Sequence, residues 1–464
     1  MSNELEKMNM THAERLAEFV ARASFEDLSD AAVRELEIRI LDSVGCAIGA
    51  LGRKPVRLVR EQIEEFGGEP LVTLIGGGKT APDRAALYNG TLVRYLDYND
   101  SYLAKGETCH PSDNLGAVLA ASEYAGGSGQ DLLVALAVAY QVQCRLSEVA
   151  PVRHKGFDHT TQGAYAAAAG VAKALGLDAW KTMNAVAISG TANNALRVTR
   201  TGSLSHWKGL AYPNTGSAAT QAAFLAMRGI TGPPKVFEGN KGFMDAIAGC
   251  FEIDWEREDL EVVTRTIVKR YNAEIHSQSA LEGILELKSE HGIRPEAVER
   301  IELETFDVAY DIIGGGEEGE KKTVRTKEEA DHSLPYLLAV ALLDGEVYPA
   351  QYQPERIAAE DVQKLLQRVE VHPADDLSER FPQEMPCRLR VLTKGGGEFE
   401  VEKSDYEGFS TRPISRERAE EKFERLASPY ADGKLVESIE YAVRHLEEIE
   451  IRELTERLGK VGTR

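Results

Sequence analysis

Residues 164–176 read AYAAAAGVAKALG. Alanine is the best helix former, and a run of small side chains lets a neighbouring helix approach closely. The spacing therefore predicts a buried helix over 163–177, inside a bundle rather than on its surface. The stretch TGSAATQAAFLAM (215–227) has the same character. Working outward, residues 11–23, 30–51, 116–125 and 131–149 carry apolar residues at helical spacing, and Ser29 or Asp30 suits an N-cap. A short apolar run, Leu71–Ile75, reads as a strand before the glycines at 76–78.

The character changes after about residue 270. Residues 280–291 and 333–343 read as helices, and VERIELETF (298–306) alternates as a strand should. Residues 388–403 read as a hairpin around Gly395–Gly397. Charged helical patterns return from about Arg416. The expected fold is mainly α: a large all-helical domain formed by N- and C-terminal segments (1–272 and 411–464), plus a smaller inserted α+β lid domain (273–410) with an antiparallel sheet. GGGEEGE (314–320) is expected to be a mobile loop, and there is no internal repeat.

The chain has 464 residues, with 54 Lys and Arg against 75 Asp and Glu, a net charge of −21. So acidic a chain does not suit nucleic acid, which calls for clustered cations. A polyanionic ligand meets an opposing bulk field, so its site must gather its own Lys, Arg and His. No run reads as the uninterrupted apolar stretch that a membrane span needs, and Met1–Met10 is polar without the apolar core of a signal peptide. A cytoplasmic protein is expected. Cys46, Cys109, Cys144, Cys250 and Cys387 are scattered, with no C-x-x-C. That spacing argues against a disulfide framework, a thiolate zinc site and an iron–sulfur cluster.

Gly76-Gly77-Gly78-Lys79-Thr80 resembles a phosphate loop, but the first glycine of that motif is replaced by Thr73, so a glycine-rich turn is expected. There is no H-E-x-x-H, no G-x-S-x-G and no G-x-G-x-x-G after a strand. Four segments concentrate His, Lys, Arg and Asp among small residues: RYLDYNDS (94–101) with TCHPSDN (108–114); KGFDHTT (155–161); HWKG (206–209) with NTG (214–216); and VKRYNAEIHSQS (268–279). Each also has a plain reading. Asp97 and Asp100 suit turns, Ser112-Asp113 suits a helix N-cap beside His110, and Lys208 and Lys269 suit the surface. Lys208, however, precedes a small-residue helix, and a lysine led into such a region calls for an anion.

The order and length of RYLDYNDSYLAKGETCHPSDNLGAVLAA (94–121), GFDHTT (156–161), WKGLAYPNTG (207–216), GITGPPKVFEGNKGF (229–243), KRYNAEIHSQSALEG (269–283) and DHSLPYLLAVALLDG (331–345) resemble the MmgE/PrpD family. That family includes 2-methylcitrate dehydratases and cis-aconitate decarboxylases. The resemblance spans about residues 30–410. It carries the family's active-site pattern onto Asp97, Ser101, His110, His159, Lys208 and Lys269. LDYND with HPSDNLG, Ser101, and Glu274 where the decarboxylase branch has histidine, are similar to the dehydratase form.

The resemblance implies a lyase that removes water from a citrate-like tricarboxylate, with 2-methylcitrate the leading substrate. Loss of a proton beside a carboxylate builds charge there, which preorganised cations must meet. Lys208 and Lys269 are expected in that role, with Arg94 and Arg270 beside them. Hydroxide must be protonated to leave, and His110 and His159 are expected to divide acid and base work. Asp97 would orient a histidine or bind substrate, and Ser101 and Tyr271 would contact it. No step demands a metal, and no cofactor is expected. A homodimer is expected, as is common in the family and among oligomers generally. The alternatives are cis-aconitate decarboxylation and, in another class, a helical scaffold that kept the fold without the chemistry.

Overall fold

The computed structural model describes residues 10–462; the expectation for Met1–Met10 therefore lies, but for Met10, outside the described residues. Two compact units form. One comprises residues up to Arg197, Gly209–Thr266 and Ser415 onward; the other comprises Val198–Lys208 and Ile267–Ile414. Helix dominates, with small sheets.

In the first unit the helices begin where their caps dictate. Thr11 and Glu14 form a reciprocal capping box for His12–Arg22, Ser29 caps Asp30–Gly49, and Ser128 with Asp131 caps Gly129–Val149. Around these lie Lys54–Phe66, Pro82–Tyr95, Leu115–Ala125, Thr160–Ala174, Ala179–Ala192 and Trp207–Met227. Arg416–Ala427, Gly433–Arg444 and Ile451–Leu458 complete the unit. The alanine-rich stretch is buried throughout Ala164–Ala172, as its composition requires. Close approach is explicit at Gly116, where an added Cβ would lie 2.4 Å from the Gly90 nitrogen. It recurs at Gly163, where a Cβ would lie 2.4 Å from the Tyr212 ring.

Two short antiparallel ribbons interrupt the helices: β1 (Val72–Thr73) with β2 (Lys79–Thr80), and β3 (Tyr102–Ala104) with β4 (Glu107–Cys109). Gly76–Gly78 make the turn of the first, with positive φ at all three residues. One expectation needs correction. Gly129–Val149 is long and apolar enough, by length and composition, to cross a membrane, and 83% of its apolar window is buried within the fold. Its apolar surface is core.

The second unit carries a four-stranded sheet: β5 (Val298–Thr305), β6 (Val369–Pro373), β7 (Cys387–Thr393) and β8 (Glu398–Lys403), in the order β6-β5-β7-β8. The expected antiparallel sheet is in fact mixed, because β5 and β6 run parallel, with Ile301 opposite Val369. The reason is the chain between them: Leu334–Asp344 and Glu360–Leu366 supply the helical crossover that parallel strands need. Gln278–His291 and Leu334–Asp344 contribute Leu281, Ile284, Leu337 and Leu338 to one core with Ile301, Leu303, Leu389 and Val391. The alternate residues of the same strands, among them Glu302, Arg388 and Arg390, pair with one another in ion pairs. The segment 314–320 is also corrected: Gly316 N–H donates to Tyr310 O (3.0 Å), Glu318 N–H to Asp311 O (2.9 Å) and Gly202 N–H to Glu318 O (3.2 Å). These bonds tie down the stretch expected to be loose.

Candidate functional site

In the helical unit the chemistry gathers where Pro82–Tyr95 ends. Arg94 is buried in the last turn, and its guanidinium meets Asp97 Oδ1 at 2.5 Å and Asp113 Oδ2 at 3.5 Å. Asp97 holds φ at +56°, a left-handed conformation that aspartate tolerates better than most residues. Beneath it, Lys422 pairs with Asp42 at 2.6 Å and donates to the Tyr98 carbonyl at 2.8 Å, bracing the loop.

Asp100 is fully buried and accepts from Ser112 N–H (3.0 Å), Ser112 Oγ (2.6 Å) and the Tyr140 hydroxyl (2.7 Å). Burial pushes its carboxyl up, against Arg39 and these hydrogen bonds. Ser112 therefore fastens the 97–101 loop to the 110–114 turn instead of capping a helix, which corrects the N-cap reading. No side-chain cap opens Pro111–Asn114.

His110 is held by its Nδ1, 2.8 Å from the Asp100 carbonyl oxygen and 3.0 Å from Ser101 Oγ. A carbonyl only accepts, so Nδ1 carries hydrogen, and neutral His110 keeps its basic lone pair on Nε2. His159 sits just before Thr160–Ala174. Its Nδ1 lies 3.3 Å from Asp158 Oδ1 and its Nε2 lies 4.0 Å from Asp113 Oδ2. The His159 Nε2 is buried without a hydrogen-bond partner. The two imidazoles meet edge to face at 5.4 Å between centroids, and His159 stacks on Tyr212 at 6.1 Å. Tyr212 is fixed by Asn114 Oδ1 (2.9 Å) and Gln143 Oε1 (3.0 Å). Asp97, Ser101, His110, His159 and Arg94 thus share one buried neighbourhood. The unsatisfied ring nitrogen of His159 lies within it.

In the second unit Lys208 and Lys269 are both buried, so neither is a surface lysine. Lys208 Nζ pairs with Asp331 Oδ1 at 2.8 Å, and Lys327 takes Asp331 Oδ2 at 2.6 Å. His332 Nδ1 also lies 2.9 Å from Asp331. Burial alone would raise the Asp331 carboxyl, but Lys208 and Lys327 hold it well below the usual range. Glu274 behaves likewise: burial opposes its charge, while His276, His332 and Lys269 hold its pKa down to about 2. Its backbone N–H donates to Asp331 O at 3.1 Å, joining the two segments.

Arg270 and Tyr271 are engaged differently. The Arg270 guanidinium lies 3.3 Å from Glu407, and Tyr271 packs against the apolar core of the sheet, where burial raises its hydroxyl pKa. The next residues in sequence, Asn272 and Ala273, turn the chain into the Glu274 segment.

Sequence reasoning missed several partners. Asp113 and Asp158 stand within 4.0 Å of His159, and Tyr212 stacks on it. Asp331 and His332 complete the lysine group. Asp331, His332 and Tyr212 all fall in quoted stretches, but nothing local marks an aspartate as a lysine's partner 123 residues away.

Comparison with known proteins bears on the whole length. The MmgE/PrpD N-terminal domain matches residues 14–256, and the MmgE/PrpD C-terminal domain matches residues 271–448. The cis-aconitate decarboxylase of Mus musculus is 26% identical over 463 residues, covering 93% of this chain and 90% of that protein. The 2-methylcitrate dehydratase of Salmonella typhimurium is 26% identical over 368 residues, covering 75% of this chain and 74% of that protein. The 2-methylcitrate dehydratase of Escherichia coli is 27% identical over 336 residues, covering 68% of each. With both domains matched in order over most of its length, the chain belongs to the MmgE/PrpD family.

Proposed function

We propose that the protein is a dehydratase that eliminates water from a citrate-like tricarboxylate without a metal ion, converting 2-methylcitrate to 2-methyl-cis-aconitate. The carrying observation is the buried His110–His159 pair with its unsatisfied His159 Nε2. One imidazole takes the proton from the carbon beside a carboxylate. The C–H electrons become the new double bond. The C–O pair leaves with oxygen, which takes a proton from the acid and departs as water. Imidazole both accepts and donates a proton, so it suits either job. Lys208 and Lys269 offer positive charge to carboxylates that gain charge in the transition state. Asp97 and Arg94 hold the loop that carries Ser101.

Relatives carry both dehydratase and decarboxylase names. Glu274 favours dehydration. An acid held at about 2 is ionised at neutral pH and is a poor proton donor. Decarboxylation must end by protonating carbon, and the decarboxylase branch carries a histidine near the place of Glu274; the proton that elimination gives to the leaving oxygen comes from an imidazole.

The test is a panel of citrate, isocitrate, the 2-methylcitrate diastereomers and cis-aconitate, followed by the ultraviolet absorbance of the conjugated product. Dehydration of a hydroxy-tricarboxylate without CO2, retained after exhaustive chelation, is expected. CO2 and itaconate from cis-aconitate would overturn the reading. His110→Ala and Lys208→Ala should each cost about 100-fold or more in kcat, with the helical circular dichroism unchanged. Turnover surviving both changes would refute the site.

A further inference from the structure

Lys321 is 7% exposed, yet its ammonium has no hydrogen-bond or ion-pair partner among the described residues. A buried cation without a partner is costly, because desolvation is not repaid. Burial lowers the Lys321 pKa most; the buried Glu318 carboxylate opposes this, the charge of Lys208 lowers it further, and Glu274 and Glu320 oppose it more weakly. The second unit thus brings two buried lysines within electrostatic reach of each other, while only Lys208 is neutralised directly, by Asp331.

Lys321 also lines a cavity of about 280 Å³ with Gly202, Ser203, Gly319 and Thr323. Glu320 and Glu329 line it too, but their carboxylates are turned onto backbone. Glu320 accepts from Lys322 and Thr323 N–H, and Glu329 accepts from Arg325 (2.8 Å) and Thr326 (3.1 Å) N–H. Their acceptor capacity is largely used by their own turns. A Cβ added at Gly319 would lie 3.9 Å from the Gly202 Cα, and both glycines hold positive φ, so this wall carries no side chain at either position. A pocket bordered by an ammonium that no carboxylate pairs directly, on an otherwise buried side chain, is suited to an anion.

We propose that Lys321 binds one carboxylate of the substrate and is the residue that selects a tricarboxylate over a dicarboxylate. This rests on the dehydratase reading for the substrate's identity, but not for the anion site itself. A charge-assisted hydrogen bond of this kind is expected to change affinity by about 10–100-fold.

The experiment is calorimetric titration of the full chain with tricarballylate, an unreactive tricarboxylate, and with glutarate, which lacks the central carboxylate. Lys321→Met should weaken tricarballylate about 10–100-fold and leave glutarate within about threefold. Lys321→Arg should restore most of the loss. In turnover, KM for the hydroxy-tricarboxylate should rise while kcat stays within about threefold. Melting temperature separates a structural role, since removing an unpaired buried charge should raise or preserve it. Unchanged tricarballylate affinity in Lys321→Met, or equal loss of both ligands, overturns the proposal. If the wild-type protein dehydrates no tricarboxylate yet Lys321→Met still loses tricarballylate selectively, the dehydratase reading fails and the anion site stands.

Discussion

Asp97 combines two demands at one position: a left-handed backbone at φ +56° and a carboxylate 2.5 Å from Arg94. Substitutions separate them. Asn tolerates the backbone and keeps an acceptor, whereas Ala loses the partner and strains the turn. Asp97→Asn should stay within about 1 kcal/mol of wild-type stability, and Asp97→Ala should lose about 1–3 kcal/mol, both from urea midpoints. Both should depress kcat, because Arg94 would be left to Asp113 and the Ser101–His110 contact would shift. Equal stability of the two variants would show that the backbone carries no strain. LDYND shows an aspartate in a turn, and that part was legible. The positive φ and the Arg94 pairing depend on how the helix end is buried, and no local pattern carries that.

At the level of elements, the alanine-rich stretch explains why the first unit packs as it does. Gly163 sits under Tyr212, and Tyr212 stacks on His159, so backbone spacing and imidazole position are coupled. Gly163→Ala raises helix propensity but drives a Cβ to 2.4 Å from the Tyr212 ring. The clash should win, costing about 1–3 kcal/mol and lowering kcat, as read by thermal melts and initial rates. A more stable, fully active variant would show that Tyr212 yields freely. Helices of this kind were legible because their small-residue and apolar periodicity survives any context. The mixed sheet was not, since β5 alternates in the same way whether its neighbour runs parallel or antiparallel; direction is set by the crossover helices between them. The stretch 314–320 was misread for a related reason. Glycine and glutamate resemble a loose loop, but its backbone hydrogen bonds come from residues outside it.

For the whole molecule, buried carboxylates set the acid limit. Glu274 falls from an ordinary 4.5 to about 2 on folding. A depressed pKa stabilises the fold above about pH 4.5, and that stability is lost as pH falls toward 2. Asp331 is lowered in the same sense. Urea midpoints should therefore fall steeply from pH 4.5 downward, and Glu274→Gln should flatten part of that slope while lowering the midpoint at pH 7. An unchanged slope would mean that Glu274 is equally stabilised in the unfolded chain. Lys208 and Lys269 were legible as candidates from their segments, whereas Lys327, which also holds Asp331, was not. The grouping of Val198–Lys208 with the second unit was not, because the break falls at the start of one continuous helix, Trp207–Met227.

The helical unit is closed by its last segments. Gly76 N–H donates to Leu458 O, Gly129 N–H to Ile449 O, and Ile451 N–H to Gly127 O. During synthesis, these donors and acceptors emerge long before their partners leave the ribosome. The first unit must therefore wait, partly open and with apolar helix faces uncovered, while the intervening unit is made. Its folding in a cell should depend on holding chaperones until the final helix is released.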